Sequence, residues 1–254
     1  MSAASSMKVP LDLGRADAES AELRVGGFVP LSATDYPGEL AAVVFCQGCP
    51  WECDYCHNPH LIPAVFAPDA QPARAWTDIR AWLAGRRGLL DAVVFSGGEP
   101  TLQRGLGAAM QEVRALGFKV GLHTGGAYPE RLRALLPVCD WVGLDIKATF
   151  RRYDEVTGVP GSAARARASL AALVASGVAH ECRTTVHRSL HTAHDLLALA
   201  EELLMRGVEC YVLQPFRTEG CRDAKLIDAH DAAATAALLQ RVAEMFPGVL
   251  TRPA

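Results

Sequence analysis

The sequence predicts an α/β fold with a parallel sheet, on two observations. Short apolar runs that end in polar or glycine-rich residues alternate with segments whose apolar residues recur every three or four positions. These patterns indicate strands followed by helices, and strands that alternate with helices pair in parallel. The runs also lack a regular polar face, as expected for parallel strands that are covered on both sides.

Six segments are predicted as strands and six as helices. The strands are predicted at residues 41–46, 92–99, 119–126, 140–147, 181–187 and 209–216. The helices are predicted at residues 75–85, 104–116, 129–136, 162–176, 193–206 and 228–245. Glycine follows several of these helices closely, which is typical of helix ends. Residues 26–38 predict an additional strand and turn before the first parallel strand.

Composition and length place the chain among soluble single-domain proteins. We expect one domain over residues 24–254, after a small, polar and disordered lead-in at residues 1–23. The net charge of −3 does not indicate the basic surface with which proteins bind nucleic acid. No secretory signal and no apolar run of about 18 residues is seen, so we expect a cytoplasmic protein that does not enter a membrane.

The polar groups of the chain cluster where the predicted strands end. In parallel α/β sheets and barrels, functional residues collect at the carboxyl ends of the strands. Here those ends carry a cysteine run, Ser-Gly-Gly-Glu, His-Thr-Gly-Gly, Asp-Ile-Lys, Thr-Thr-Val-His and Gln-Pro-Phe. The sequence therefore predicts one functional site on this rim of the sheet.

The cysteine run "CQGCPWECDYCHNPH" suits more than one kind of metal site. Cys49, Cys53 and Cys56 are separated by three and then two residues, which lets one loop hold an iron–sulfur cluster and leave one iron open. Adding Cys46 gives four thiolates, a set that also suits structural zinc. Spacing alone leaves a catalytic cluster, an electron-transfer cluster and zinc as alternatives.

A second motif directly follows the second predicted parallel strand. Gly97 and Gly98 would let backbone approach a ligand closely, and the Glu99 carboxylate can accept hydrogen bonds from an ammonium group. In isolation this motif is most often a turn that ends in a solvated acid. Its position at the end of an apolar strand favours a binding site.

Together these segments resemble the radical S-adenosylmethionine (radical SAM) superfamily. "CPWECDYC" matches its three-cysteine signature, with an aromatic residue before the last cysteine, and Gly-Gly-Glu matches its second motif. More narrowly, residues 26–63, "VVFSGGEPTLQ", "DWVGLDIKA" and "ECRTTVH" are similar to the activating proteins of anaerobic ribonucleoside-triphosphate reductase. The resemblance covers about residues 25–217.

This resemblance implies a fold, two cofactors and a reaction. The fold would be a partial (β/α)6 TIM-like barrel, in which Cys49, Cys53 and Cys56 bind a 4Fe-4S cluster and S-adenosylmethionine occupies the open iron. Reduced flavodoxin or ferredoxin would supply the electron that yields methionine and a 5'-deoxyadenosyl radical. That radical would generate a glycyl radical on anaerobic ribonucleoside-triphosphate reductase, and Cys46 would be a packed thiol outside the ligand set.

The resemblance also implies roles for residues on the rim. The 97–99 motif would receive the methionine amino group, and Tyr55 and His57 would flank the adenine or the cluster. Asp145 would accept the ribose hydroxyls and Lys147 would neutralise a carboxylate. A plain ion pair between Asp145 and Lys147 is the alternative.

Two positions depart from the pattern of the family. Relatives often have Thr-Asn-Gly after the third strand, where this chain has Thr124, Gly125 and Gly126. Related pyruvate formate-lyase activators carry a histidine near the adenosine, where this chain has Arg217. Both positions are therefore left outside the predicted site.

The remaining histidines and cysteines are interpreted as structural. "HRSLHTAH" (187–194) predicts polar caps at the start of a helix rather than a second metal site, and His123 is not assigned to one either. Cys182 and Cys210 are predicted in the core. Asp35 and Tyr36 form either a turn or part of a surface that meets the partner.

Three other functions stay open at this stage. The protein could activate another glycyl radical enzyme of the pyruvate formate-lyase type. It could be a radical SAM enzyme that acts on a small molecule, such as a 7-carboxy-7-deazaguanine synthase. A noncatalytic interaction protein with a four-cysteine zinc site is the alternative from a different class.

Overall fold

The computed structural model describes residues 22–64, 74–246 and 248–252, which form one sheet covered by helices. The strands are β1 (Val25–Ser32), β2 (Ala41–Cys46), β3 (Ala92–Gly97), β4 (Lys119–Thr124), β5 (Trp141–Asp145), β6 (Ala179–Val186), β7 (Tyr211–Pro215) and β8 (Val249–Thr251). The helices are α1 (Trp76–Ala84), α2 (Leu106–Ala115), α3 (Pro129–Leu135), α4 (Tyr153–Thr157), α5 (Ser162–Ser176), α6 (Ala193–Met205), α7 (Ala224–Asp228) and α8 (Ala232–Met245).

The strands lie in the sheet in the order in which they occur along the chain. β1 pairs with β2 in antiparallel orientation, and every later neighbouring pair from β2 to β8 is parallel. Over the described residues β1 and β8 stand at opposite edges, so the sheet is open. The predicted α/β fold with a partial barrel of parallel strands is therefore confirmed, and β2 to β7 are its six predicted strands.

Both outer strands extend the predicted barrel. β1 is the additional strand that residues 26–38 predicted. β8 was not predicted, because three residues are too short to show an apolar period, and it forms by pairing Tyr211 of β7 with Val249. The result is one more parallel strand than the resemblance implied.

Two helix predictions need correction. The helix predicted at residues 228–245 begins later, as α8 at Ala232, because the Asp231 carboxylate caps its start. Residue 228 instead ends α7, a short helix that was not predicted and whose start the Asp223 carboxylate caps. Helix α4 was missed, since it has only five residues before Gly158 ends it in the left-handed conformation, with φ of 67°. By contrast, Thr192 and Asp195 form a capping box at the start of α6, as "HRSLHTAH" predicted.

Alternation along the strands divides the sheet into two faces. Ala42, Val44 and Cys46 of β2 belong to the large core packed under the helices. Val43 belongs instead to a small cluster with Tyr36, Val94 of β3 and Trp141 of β5. We call this second side the inner face of the sheet; it is the face on which the polar residues of the rim lie.

The 32–38 turn fills the inner face at the amino-terminal ends of the strands. The Tyr36 ring lies 5.2 Å from the Trp141 ring, and Tyr36 is 8% exposed. The Asp35 carbonyl oxygen accepts a hydrogen bond from His123 Nε2 at 2.8 Å. The turn interpretation is therefore correct, since Glu39 N donates to Tyr36 O at 3.1 Å, while the Tyr36 ring is buried inside the fold and is not part of an exposed surface.

The chain before β1 is only partly described. Residues 1–21 of the predicted lead-in lie outside the described residues. Leu23, which was assigned to the lead-in, is 4% exposed and packs in the large core. None of the helices in the described part of the chain is long and apolar enough to cross a bilayer.

Candidate active site

The rim at the carboxyl ends of the strands carries a row of inward-facing polar side chains. They lie on β3 to β7, at positions that alternate with residues of the large core, and they are Ser96, His123, Asp145, Arg183, Thr185 and Gln214. The cysteine loop begins where β2 ends, on the same rim. The structure thus brings the predicted motifs to one side of one sheet.

Backbone hydrogen bonds hold the cysteine loop at both ends. Gly48 N donates to Leu61 O at 2.7 Å, and Cys49 N donates to Ile62 O at 3.0 Å. Inside the loop, Cys56 N donates to Cys53 O at 3.0 Å. Cys49, Cys53 and Cys56 are free cysteines and are partly exposed as residues, so no disulfide occupies any of the three sulfurs.

The surroundings of the three thiols keep them protonated without a metal. Burial raises the pKa of all three, and that of Cys53 rises to about 11 although Lys147 lowers it. A bound metal would displace these protons, because thiolate is the ligand form. Metal binding at this loop should therefore release protons.

Three soft sulfur donors on one short loop fit an iron–sulfur cluster by their chemistry. Cys46 does not join them: it is 0% exposed and lies in the large core beside Val44. This separation favours a three-thiol set over a four-cysteine zinc site. Among the described residues, no three histidine, cysteine, aspartate or glutamate side chains already stand close enough to hold a metal ion.

Glu99 lies at the centre of a buried hydrogen-bond network and is 1% exposed. Its Oε1 accepts hydrogen bonds from Thr101 N at 3.1 Å, Thr101 Oγ1 at 2.5 Å and Thr124 Oγ1 at 2.6 Å. Its Oε2 accepts one from Gly125 N at 2.8 Å. Glu99 therefore ties the end of β3 to the end of β4, a role that the sequence did not predict; its contact with an ammonium group stays a prediction.

Gly97 and Gly98 let the ends of β2 and β3 approach each other. Gly97 has φ of 116°, and a Cβ there would strike the Cys46 backbone, while a Cβ at Gly98 would strike the Gly48 carbonyl oxygen. Gly98 N donates to Cys46 O at 3.0 Å. Gly97 and Gly98 were expected to let the backbone come close to a ligand. In the structure they let it come close to the start of the cysteine loop instead.

Lys147 lies among aromatic rings beside the cysteine loop. Its Nζ is 5.7 Å from the centre of the Tyr55 ring, 5.9 Å from that of Trp51, and 3.4 Å from Asp145 Oδ2. Burial alone would lower the pKa of Lys147, but Tyr55 and Asp145 hold it well above its usual value. Lys147 is therefore a cation in a largely enclosed site.

Asp145 also binds a residue that the sequence did not single out. Arg183 donates to Asp145 Oδ1 from Nε at 3.0 Å and from Nη2 at 2.8 Å. Burial raises the pKa of Asp145, but Arg183 and Lys147 outweigh it and lower the pKa to about 2. The Asp145 side chain is still 34% exposed. The ion pair between Asp145 and Lys147, which was the alternative to a ligand-binding role, is present. It leaves Asp145 accessible from the rim.

His123 is the second residue of the rim that the sequence left without a role. Its Nε2 donates to Asp35 O, and its Nδ1 lies 3.4 Å from Ser96 Oγ. Burial and the nearby Arg183 lower the pKa of His123 to about 3, so the imidazole is neutral. Strand alternation could have found His123 and Arg183, because both occupy inner-face positions next to predicted site residues.

His57 fastens the cysteine loop to the segment after β7. Its Nε2 lies 3.0 Å from Arg217 O and 3.3 Å from Arg217 N, and its ring lies 5.3 Å from the Phe216 ring. A Cβ at Gly220 would strike the His57 carbonyl oxygen. Arg217, which departs from the pattern of the family, thus contacts the site through its backbone.

The other scattered cysteines and histidines serve the fold. Cys182 is fully buried as predicted, whereas Cys210 precedes β7 and is only partly buried, so its core assignment was wrong. His187 and His191 are buried and contact the backbone carbonyls of Leu226 and Lys147. These contacts support the structural interpretation of the histidine segment.

Comparison with known sequences identifies relatives of this chain. The profile of the radical SAM superfamily matches residues 43–207, which is more than half of the chain. A protein of Methanocaldococcus jannaschii, named provisionally as a glycyl-radical enzyme activating enzyme, is 29% identical over 209 residues, covering 78% of this chain and 82% of that protein. The 7-carboxy-7-deazaguanine synthase of Thermococcus kodakarensis is 31% identical over 138 residues, covering 48% of this chain and 53% of the synthase.

Comparison with solved structures supports the same fold. Streptococcus suis SuiB, in a crystal structure bound to S-adenosylmethionine, aligns with a TM-score of 0.63 at 12% identity. The alignment covers 82% of this chain but 48% of the SuiB chain, so this chain spans about half of that larger protein. At this identity the likeness concerns the fold alone.

Proposed function

Because the chain belongs to the radical SAM superfamily, we propose that it is an activating enzyme that generates a glycyl radical on a partner enzyme. The similarity to the Methanocaldococcus jannaschii protein carries this proposal, since it extends over most of both chains. The partner that fits the motifs of the sequence is an anaerobic ribonucleoside-triphosphate reductase. The electron would come from reduced flavodoxin or ferredoxin.

In this proposal Cys49, Cys53 and Cys56 hold a 4Fe-4S cluster whose fourth iron is open to S-adenosylmethionine. The cluster and S-adenosylmethionine together supply the radical chemistry, by one-electron cleavage to methionine and a 5'-deoxyadenosyl radical. The protein itself supplies ligation, orientation and shelter from water. Three free, partly exposed cysteines on one loop, with Cys46 fully buried, support this ligand set.

The rim would bind the two ends of S-adenosylmethionine. Asp145 is ionised and partly exposed, so it can accept ribose hydroxyls even while Arg183 holds one of its oxygens. Lys147 is cationic and can neutralise the methionine carboxylate. Tyr55 and His57 belong to the cysteine loop itself and would flank the adenine or the cluster, and the 97–99 motif would receive the amino group.

The proposal is tested by assembling the reaction from purified components. The anaerobically reconstituted protein, S-adenosylmethionine and reduced flavodoxin are mixed with the reductase encoded in the same genome, and electron paramagnetic resonance is recorded. We expect a glycyl radical signal and stoichiometric 5'-deoxyadenosine. A reductase whose radical glycine is replaced by alanine is the matched control, and it should give no signal.

Three results would overturn the proposal at different levels. Cleavage of S-adenosylmethionine without a radical on the reductase would reject this partner. A radical on a pyruvate formate-lyase would identify that enzyme as the partner instead. Turnover of a deazaguanine precursor would favour a small-molecule enzyme, to which the similarity with the Thermococcus kodakarensis synthase points. Zinc in place of iron and sulfide would reject radical chemistry altogether.

A further inference from the structure

Trp51 carries a buried hydrogen-bond donor that has no acceptor within the described protein. It lies between Cys49 and Cys53 and is 2% exposed, and its Nε1 has no hydrogen-bond partner. A buried donor left unpaired costs about 1–3 kcal/mol. Because such groups are rare in folded proteins, this one calls for an acceptor that binds later.

The indole is held in place from the side of β4. A Cβ at Gly125 would lie 2.5 Å from Trp51 Cζ3, so only glycine fits beneath the ring. The Trp51 ring also makes an edge contact with Tyr153, at 5.8 Å between ring centres. This explains why the chain departs from Thr-Asn-Gly: an asparagine at 125 and a tryptophan at 51 cannot share the space.

The surroundings of Trp51 favour an anionic acceptor. Lys147 Nζ lies 5.9 Å from the centre of the Trp51 ring and carries a full positive charge. Glu99 already accepts hydrogen bonds from Thr101, Thr124 and Gly125 and does not pair with the indole. Lys147 shares its carboxylate partner, Asp145, with Arg183, so two cations face one anion beside the unpaired indole N–H.

We propose that Trp51 Nε1 donates a hydrogen bond to the carboxylate of bound S-adenosylmethionine, beside Lys147. The proposal rests on the use of S-adenosylmethionine in the function proposed above. That ligand has one carboxylate, and Trp51 lies on the loop that would hold the cluster. The indole would bind cofactor without taking part in proton or electron transfer.

The test measures cofactor affinity rather than turnover. Trp51→Phe keeps an aromatic ring and removes the N–H, whereas Trp76→Phe removes an indole N–H that donates to Glu112 at 2.7 Å, away from the rim. The dissociation constant of radiolabelled S-adenosylmethionine is measured by equilibrium dialysis on cluster-loaded wild type and both variants. We expect about tenfold weaker binding for Trp51→Phe, as for loss of a hydrogen bond to a charged group, and a change below about twofold for Trp76→Phe.

Thermal unfolding of the cluster-free proteins separates binding from structure. Since Nε1 of Trp51 has no partner in the protein, Trp51→Phe should lower the melting temperature less than Trp76→Phe. If Trp51→Phe binds S-adenosylmethionine within about twofold of the wild-type dissociation constant, the inference is wrong. The proposed function is judged separately, by whether the wild type forms the glycyl radical on the reductase.

A second measurement covers the case in which Trp51→Phe fails to load its cluster. Ultraviolet resonance Raman spectra of the wild type, with and without S-adenosylmethionine, report the hydrogen bonding of indole N–H groups. We expect one of the four tryptophans to move from the free to the hydrogen-bonded position on addition of the cofactor. Unchanged indole bands in protein that has bound the cofactor would reject the proposed contact.

Discussion

At the scale of single residues, the four cysteines of the 46–56 run differ in where their thiols lie. Cys46 ends β2 with its side chain in the large core, where burial raises its pKa, while the other three stand on a partly exposed loop. Sequence spacing could not separate three ligands from four, because it counts thiols and not the face of the strand on which each lies.

This difference predicts the outcome of single substitutions. Cys46→Ala should keep the cluster and most activity, because it removes a packed thiol; we expect a stability loss of about 1 kcal/mol. Alanine at Cys49, Cys53 or Cys56 should abolish both. Iron and sulfide content with the visible absorption of the reconstituted proteins measures this, and cluster loss in Cys46→Ala would return Cys46 to the ligand set.

Glu99 was predicted as a ligand group, yet its contacts make it a structural residue as well. Glu99→Gln should lower the unfolding free energy of the cluster-free protein by about 2 kcal/mol, because an amide N–H would face the donors that the carboxylate now satisfies. Urea unfolding measures this loss. Glu39→Gln, which alters an exposed pair with Lys119, is the control and should change little. Equal unfolding free energies of the two variants would show that the hydrogen-bond network around Glu99 does not stabilise the fold.

At the scale of elements, the segment after β7 acts as a cover for the cysteine loop. Cys221 Sγ contacts Asp54 O at 3.6 Å, and His57 contacts the backbone of Arg217. Residues 216–221 therefore hold one side of the loop that would bind the cluster. Sequence patterns gave no sign of this, because the two segments are far apart along the chain.

Gly220 is the position at which this contact can be tested. Gly220→Ala would place a Cβ against the His57 carbonyl oxygen, at a residue whose φ is 84°. Residues 216–221 should then separate from the cysteine loop, and the cluster should be lost several-fold faster in air. Gly161→Ala is the matched control: its φ of 80° imposes similar backbone strain, but nothing lies within 4 Å of the added Cβ. Decay of the visible cluster absorption measures both. Equal decay rates would show that the cover does not protect the cluster.

The start of α6 shows the opposite case, in which local sequence was sufficient. Thr192 and Asp195 cap the helix reciprocally, and both partners lie within one turn of each other. The start of α8 depends on the same capping chemistry, since Asp231 caps it. The predicted start at residue 228 was wrong because an apolar period does not mark where a helix begins.

At the scale of the whole molecule, buried neutral histidines couple stability to pH. Burial lowers the pKa of His123, His187 and His191, with His123 at about 3. Unfolding would expose them, and each would then take up a proton below about pH 6.5. Since the unfolded state binds more protons, stability falls as the pH falls from about 6.5 towards 3.

We therefore expect the unfolding free energy of the cluster-free protein to decrease between about pH 7 and pH 5. His123 alone can contribute up to about 1.4 kcal/mol per pH unit in this range. His123→Gln can still donate to Asp35 O. It should reduce the slope of the unfolding free energy against pH by the contribution of His123. Urea unfolding of both proteins at several pH values measures it, and identical slopes would contradict a neutral buried His123.

The sequence by itself determined the order of strands and helices, the rim on which the motifs meet, and the chemistry of the thiol donors. These depend on local periods and on the rule that parallel strands end at one edge. Only the tertiary structure decided that Cys46 lies in the core, that Arg183 holds Asp145, that Trp51 excludes a side chain at 125 and that β8 extends the sheet. Each of these is a contact between distant segments, and its energy depends on side-chain directions and close approaches that no local pattern contains.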